Sequence, residues 1–259
     1  MQQILHSKIY GENQGGTPLL VLHGLFGMLD NWGSFGKEFG EKMPVHLLDL
    51  RNHGRSFHSD EMSHDAMAAD ILNYMQSKNI EKAHLLGHSL GGKAVMQFAI
   101  NHPEKTEKLI VADIAPKSYP PHHQGIIKGL QSANFDEVRS RSDVDEVLKQ
   151  YIPEEFVRQF LMKSLYWTDD KKLAWRFNLE ILDKKYQDFV ANNIKFGVFP
   201  GKTLFIRGEN SNYILPQDEL AIKQQFPDYK IVSIANAAHW LHADNPSDFN
   251  AAVADFLGS

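Results

Sequence analysis

The stretch Leu85-Leu86-Gly87-His88-Ser89-Leu90-Gly91-Gly92 decides how the rest of the chain is read. An apolar run with strand character reaches Gly87, a serine stands between glycines in a G-x-S-x-G pattern, and the helical segment Lys93 to Ala99 follows at once. This is the context of a nucleophile elbow. A strand that turns into a helix within about three residues holds its serine in a strained conformation, and flanking glycines remove the Cβ atoms that would collide. Ser89 is then exposed at the carboxyl edge of a sheet, beside helix N–H groups that favour developing negative charge. The plainer alternative is a glycine-rich turn whose serine caps the helix.

Before the elbow, Leu19 to Leu22 is a continuous apolar run closed by His23-Gly24, as expected of a strand buried on both faces of a parallel sheet. The loop Leu25 to Met28 leads into a helix expected from about Asp30 to Glu41, and the Leu25 amide is placed to supply half of an oxyanion hole. Val45 to Leu50 is a second buried strand, Ile4 to Tyr10 an edge strand, and Ser63 to Lys78 a helix capped by Ser63. The exit loop Arg51 to Ser56 lacks a Walker lysine pattern or a G-x-G-x-x-G fingerprint, so its arginines are expected to pair with carboxylates rather than bind phosphate.

After the elbow, the apolar strand Lys108 to Ala112 runs into Asp113. A carboxylate there must be paired or face a polar site, because burying it alone is expensive, and so Asp113 is a site candidate; a turn cap is the other reading. The sheet resumes at Lys202 to Arg207, and Lys230 to Ile234 is the last strand. Helices are expected over Pro216 to Phe226 and Pro246 to Leu257. Alternating strands and helices predict an α/β fold with a mostly parallel central sheet.

Between them, residues 117–200 lose the strand pattern and are rich in charged and aromatic residues, with helical patterns at Glu154 to Tyr166 and Lys171 to Asn192. The expected organisation is a core of residues 1–116 and 201–259 with a helical cap, 117–200, inserted. Phe26 and the cap residues Trp167, Trp175 and Phe177 are candidates for an apolar substrate wall. The pair His122-His123 has no second ligand cluster or H-E-x-x-H helix near it, and reads as exposed loop histidines rather than a metal site.

Composition narrows the function. A formal net charge of -5 gives no electrostatic footprint for nucleic acid. With 0 cysteines there is no thiolate nucleophile or Cys-based metal site. No window approaches the roughly twenty apolar residues of a membrane span, and no basic-then-apolar leader opens the chain, so a cytoplasmic protein without a membrane span is expected. The partner expected is a small ester or thioester; nothing in the chain speaks to oligomeric state.

Serine needs a base that is itself oriented by an acid. Ser89, Asp113 and His239 follow successive strands in the order Ser, Asp, His, which is the α/β-hydrolase order. His242 lies close enough in sequence to compete with His239. The stretches HGLFG (His23 to Gly27), DLRNHGRS (Asp49 to Ser56), GHSLGGKAVM (Gly87 to Met96), ADIAP (Ala112 to Pro116), WRFN (Trp175 to Asn178), GENSNY (Gly208 to Tyr213) and AHWLHADNP (Ala238 to Pro246) span most of the chain. With them the sequence resembles the α/β-hydrolase superfamily, and within it the YbfF-type carboxylesterases and related abhydrolase esterases and thioesterases. The resemblance implies ester or thioester hydrolysis without a cofactor or metal. It implies Ser89 as nucleophile, His239 rather than His242 as base, and the amides of Leu25 and Leu90 as oxyanion hole. One departure stands out: Ser211 occupies the place where many superfamily members carry their acid, which moves the role to Asp113, with Glu209 in reserve.

The function expected is a serine carboxylesterase for short- to medium-chain acyl esters, with acyl-CoA thioesters as an extension. A slow-turnover receptor or binding protein on the same fold would share these residues. A dehalogenase or epoxide hydrolase would need an aspartate where Ser89 stands.

Overall fold

The computed structural model describes residues 3–258. Strands β1 (Ser7–Tyr10), β2 (Leu19–Leu22) and β3 (Val45–Leu48) open the chain, with a 3-10 turn at Leu29–Trp32 and helix α1 (Gly33–Phe39) between β2 and β3. The single helix expected over 30–41 is therefore broken at Gly33 into these two pieces. Helix α2 (His64–Ser77), strand β4 (Ala83–His88), helix α3 (Leu90–Asn101) and strand β5 (Thr106–Ala112) follow. The chain then forms α4 (Gln124–Ser132), α5 (Arg141–Lys149), α6 (Glu155–Met162), the hairpin β6 (Leu165–Trp167) and β7 (Leu173–Trp175), and α7 (Leu179–Lys184). It ends with β8 (Thr203–Gly208), α8 (Glu219–Gln225), β9 (Tyr229–Ile234), α9 (Leu241–Asp244) and α10 (Pro246–Gly258).

Among the described residues, the main sheet has 7 strands in the order β1-β3-β2-β4-β5-β8-β9. All neighbours are parallel except β1, which pairs antiparallel with β3 at the edge. Why the central strands read as unbroken apolar runs is visible in their alternation. Leu20 and Leu22 of β2, Leu85 of β4 and Val111 of β5 join a cluster with Ile71, Val95 and Phe98 from α2 and α3. Leu19, Val21, Leu86 and Ile110 point the other way, onto Trp32, Phe35, Phe249 and Phe256 from the α1 and α10 side. Both faces are covered, so period-two alternation of polarity has no reason to exist.

Helix α2 has a side-chain cap, and the loop after β3 is tied by two arginine–carboxylate pairs. The Ser63 hydroxyl accepts from the Ala66 amide at 3.2 Å and starts α2. Arg51 binds Asp70 through two nitrogens, at 2.6 and 2.8 Å, and Arg55 meets Asp30 at 2.8 Å, the carboxylate pairing expected of that loop.

Between β5 and β8 the sequence expectation needs correction. The helical span read over 171–192 is divided: residues up to Trp175 belong to a two-stranded hairpin, and α7 begins only at Leu179, with the Asn178 side chain accepting from Ile181 N at 3.4 Å. A turn at 168–172 is responsible, with Lys171 at φ 59° and the Thr168 amide bonded to the Lys172 carbonyl at 2.8 Å. Among the described residues, no helix is long and apolar enough to cross a membrane.

Candidate active site

Parallel strands bring their carboxyl ends to one edge, where ligands of such sheets bind. Ser89 follows β4 there, with φ 51° and ψ -113°. A serine in that region is strained by about 1–3 kcal/mol, and the tertiary structure must hold it. It does so with hydrogen bonds from Ser89 N to Ala112 O at 2.9 Å and from Lys93 N to Ser89 O at 3.1 Å. The glycines matter for a measurable reason: a Cβ on Gly87 would lie 2.2 Å from Gly91 O, and one on Gly91 would lie 2.4 Å from Leu22 O. Strand, turn and helix are in backbone contact.

Asp113 leaves the neighbouring strand with φ 51° and is fully buried. Its Oδ2 accepts from His239 Nδ1 at 2.7 Å and from the Ser211 hydroxyl at 2.5 Å, and its Oδ1 accepts from Gly208 N at 3.2 Å. Burial raises the Asp113 pKa, and the Ser211 and Gly208 donors act against that rise. All three donors are satisfied by the ionised carboxylate, which has no proton to place. His239 is shifted downwards by burial, so its imidazole is neutral near pH 7, and Nδ1–H donation to Asp113 leaves Nε2 as the basic nitrogen. The ring is further fixed by Tyr213, stacked at 3.8 Å and 16°. Glu209 is engaged elsewhere, its Oε2 accepting from Asn236 N at 2.9 Å. His242 also turns away: its ring stacks on buried Trp32 at 4.2 Å and 9°.

Ser89 and His239 border one cavity of about 210 Å³. Leu25 and Phe26 border it too, and Leu90 is the first residue of α3, where helix N–H groups have no carbonyl of their own helix to bind. The next amide, Gly91 N, is taken by His23 O at 3.1 Å. Two buried histidines shape the Leu25 loop. His53 Nδ1 donates to Arg51 O at 2.9 Å while its Nε2 accepts from Phe26 N at 3.1 Å. His23 likewise donates to Gly24 O at 2.8 Å and accepts from Leu50 N at 3.1 Å. Each must be neutral to do both, and burial lowers His23 to about 4 and His53 to about 3.

The aromatic wall is not the one expected. Phe26 borders the cavity, but Phe177 stands behind it at 5.1 Å, and Trp175 stacks on Phe177 at 5.4 Å while its indole N–H donates to Leu130 O at 3.3 Å. Trp167 is 53% exposed on the hairpin. The hairpin, unread in the sequence, is what carries Trp167 and Trp175 away. The wall is formed instead by Val157, Phe160 and Leu161 of α6, by Ile126 of α4, and by Trp240. His122 and His123 also border it; His122 is an exposed loop histidine, as expected, and His123 is half-buried before α4, while His122 Nε2 accepts from the Tyr213 hydroxyl at 2.5 Å. His88 and Tyr213 carried only a weak signal, their positions inside GHSLGGKAVM and GENSNY, and the His122-His123 pair lies outside all the motifs. Among the described residues, no group of three or more His, Cys, Asp or Glu is arranged to hold a metal.

A family model described as the alpha/beta hydrolase fold matches residues 17–145. The esterase YbfF of Escherichia coli is 34% identical over 242 residues, covering 93% of this chain and 93% of the relative. The chain belongs to the α/β-hydrolase family. This α/β-hydrolase is also 35% identical over 259 residues to the sn-1-specific diacylglycerol lipase ABHD11 of Xenopus laevis, covering 97% of this chain and 83% of that one. Among solved structures, a marine microorganism esterase superposes on the hydrolase with a TM-score of 0.94 at 38% identity, covering 98% of this chain and 100% of that one.

Proposed function

We propose that the protein is a serine carboxylesterase acting on short- to medium-chain acyl esters, with thioesters of the same acyl groups as further substrates. The observation that carries this reading is the 2.7 Å bond between His239 Nδ1 and a buried carboxylate, on a histidine that shares its cavity with the strained Ser89. The named activities of its relatives, esterase and lipase, agree in reaction type.

Ser89 Oγ attacks the ester carbonyl carbon as His239 Nε2 takes its proton. The negative charge that forms on the carbonyl oxygen is received by the amides of Leu25 and Leu90, which border the space beside Ser89. Asp113 stabilises the imidazolium and keeps its ring in place. His239 then gives the proton to the leaving oxygen or sulfur, and water repeats the cycle on the acyl-enzyme. Residues 117–200 act as a cap whose α4 and α6 side chains exclude water from this chemistry.

Turnover of nitrophenyl esters and of CoA thioesters by the purified chain tests the reading. Multiple turnovers per enzyme are expected; less than one over a long incubation would identify a binding protein on the same fold. Added chelator is expected to leave the rate unchanged, and inactivation reversed by added metal would refute this chemistry.

A further inference from the structure

The space around Ser89 has two lobes with different linings. The large lobe is bordered by His239, Trp240, Val157 and Phe160. The small one, about 20 Å³, is bordered by Leu90, Lys93, Ile114, Phe189 and Val190. Ser89 and Leu25 belong to both, as do His122, His123 and Tyr213, so the reacting carbonyl sits at the junction of the lobes.

Proton transfer assigns the lobes. The leaving atom must lie beside the histidine that protonates it, and His239 borders the large lobe. The acyl substituent, on the other side of the carbonyl carbon, is directed into the small lobe, past the N-terminus of α3. That lobe has about a tenth of the large lobe's room, so it takes a short acyl tail and not a long one. Its far wall does not swing aside. Lys93 is 2% exposed, and its ammonium donates to the Lys117 carbonyl and, at 3.0 Å, to Asn193 Oδ1. Asn193 is itself held on the Pro116 carbonyl at 2.8 Å. With its head tied to the chain where the cap leaves and where it returns, the methylene stem of Lys93 is a fixed end to the slot. Phe189 beside it is fully buried, its carbonyl bound by His64 Nε2 at 2.7 Å.

We propose that the small lobe is the acyl slot, that Lys93 sets its length, and that the substrates are esters or thioesters of acyl groups of about two to four carbons on a bulky apolar alcohol or thiol. The proposal rests on the serine esterase reading. It excludes the reversed orientation, which would make methyl esters of long acids the better substrates.

Purified full-length protein is assayed on 1-naphthyl esters from acetate to decanoate, and on methyl decanoate. Wild type is expected to lose at least about tenfold in kcat/KM beyond butyrate, since one methylene misfitted in a pocket is worth about tenfold or more. Lys93→Ala is expected to raise the octanoate-to-acetate ratio at least about tenfold, and Val190→Ala to raise it less. Lys93→Met keeps the bulk without the ties and should leave the ratio within about threefold of wild type. Each ratio is internal to one preparation, so a partly folded variant does not distort it. An unchanged ratio in both alanine variants, or methyl decanoate outpacing naphthyl acetate, overturns the slot assignment while leaving the esterase reading intact. If wild type hydrolyses none of these esters, the esterase reading itself fails, and the slot falls with it.

Discussion

The Ser211 hydroxyl donates to Asp113 Oδ2 at 2.5 Å, on the same oxygen that receives His239 Nδ1–H at 2.7 Å. A serine thus stands where an acid was looked for, and it donates to the carboxylate that holds His239. Removing its hydroxyl takes away a donor that opposes the upward push of burial on Asp113. Ser211→Ala is expected to lower kcat about tenfold at neutral pH with little change in KM. No loss of rate would reduce the contact to a structural one.

Asp113→Asn is expected to lower kcat by roughly three to four orders of magnitude, because an amide can hold the wrong imidazole tautomer. Glu209, bonded to the Asn236 amide, has no such task, and Glu209→Gln should cost about tenfold or less. The reverse ranking in steady-state kinetics would make Glu209 the acid and Asp113 a turn cap.

Ser89→Ala should abolish turnover and leave thermal unfolding close to wild type, since the hydroxyl caps nothing in α3. Organophosphates or sulfonyl fluorides should label the parent covalently. Peptide mass spectrometry is expected to locate the adduct on Ser89, and an adduct on any other residue would redirect the mechanism.

The pH profile follows from the direction of the His239 shift. Catalysis needs the neutral imidazole, so kcat/KM rises as pH rises through the apparent ionisation of the Asp113–His239 pair. Burial disfavours the imidazolium, which moves the midpoint below the ordinary histidine value near 6.5. The rate should therefore be flat above about pH 7 and fall on the acid side. A midpoint above about 7.5 would contradict a buried histidine base.

Folding stability should be acid-sensitive for the same physical reason. His23 and His53 are held neutral, with pKa values lowered to about 4 and about 3, whereas the unfolded chain protonates its histidines near 6.5. Below 6.5 the unfolded state binds more protons, so this stability is complete above that pH and is lost as pH falls towards the folded values. At pH 5 the two together cost about 4 kcal/mol. Asp49, raised by burial, opposes the loss in part. Calorimetry at constant ionic strength is expected to give a Tm on the order of 10 °C lower at pH 5 than at pH 7.5; equal values would refute the neutral assignments.

What the sequence by itself determined lies in short-range constraints. Gly87 to Gly92 allow one backbone path between strand and helix, so the elbow and Ser89 could be read from a handful of residues. Strands buried on both faces announce themselves as apolar runs, and the order Ser89, Asp113, His239 followed from their succession. The tertiary structure decided where side chains point. His239 lies in the loop after β9 and His242 three residues on, in α9, where its stack on Trp32 turns it away from Ser89. The cavity wall was equally hidden. His122 and Tyr213 meet across 91 residues, and the turn at 168–172 takes Trp167 and Trp175 out of a wall their chemistry would suit. Local pattern sets the backbone period of each segment, but a side chain's facing depends on contacts between segments far apart in the chain, which periodicity does not encode.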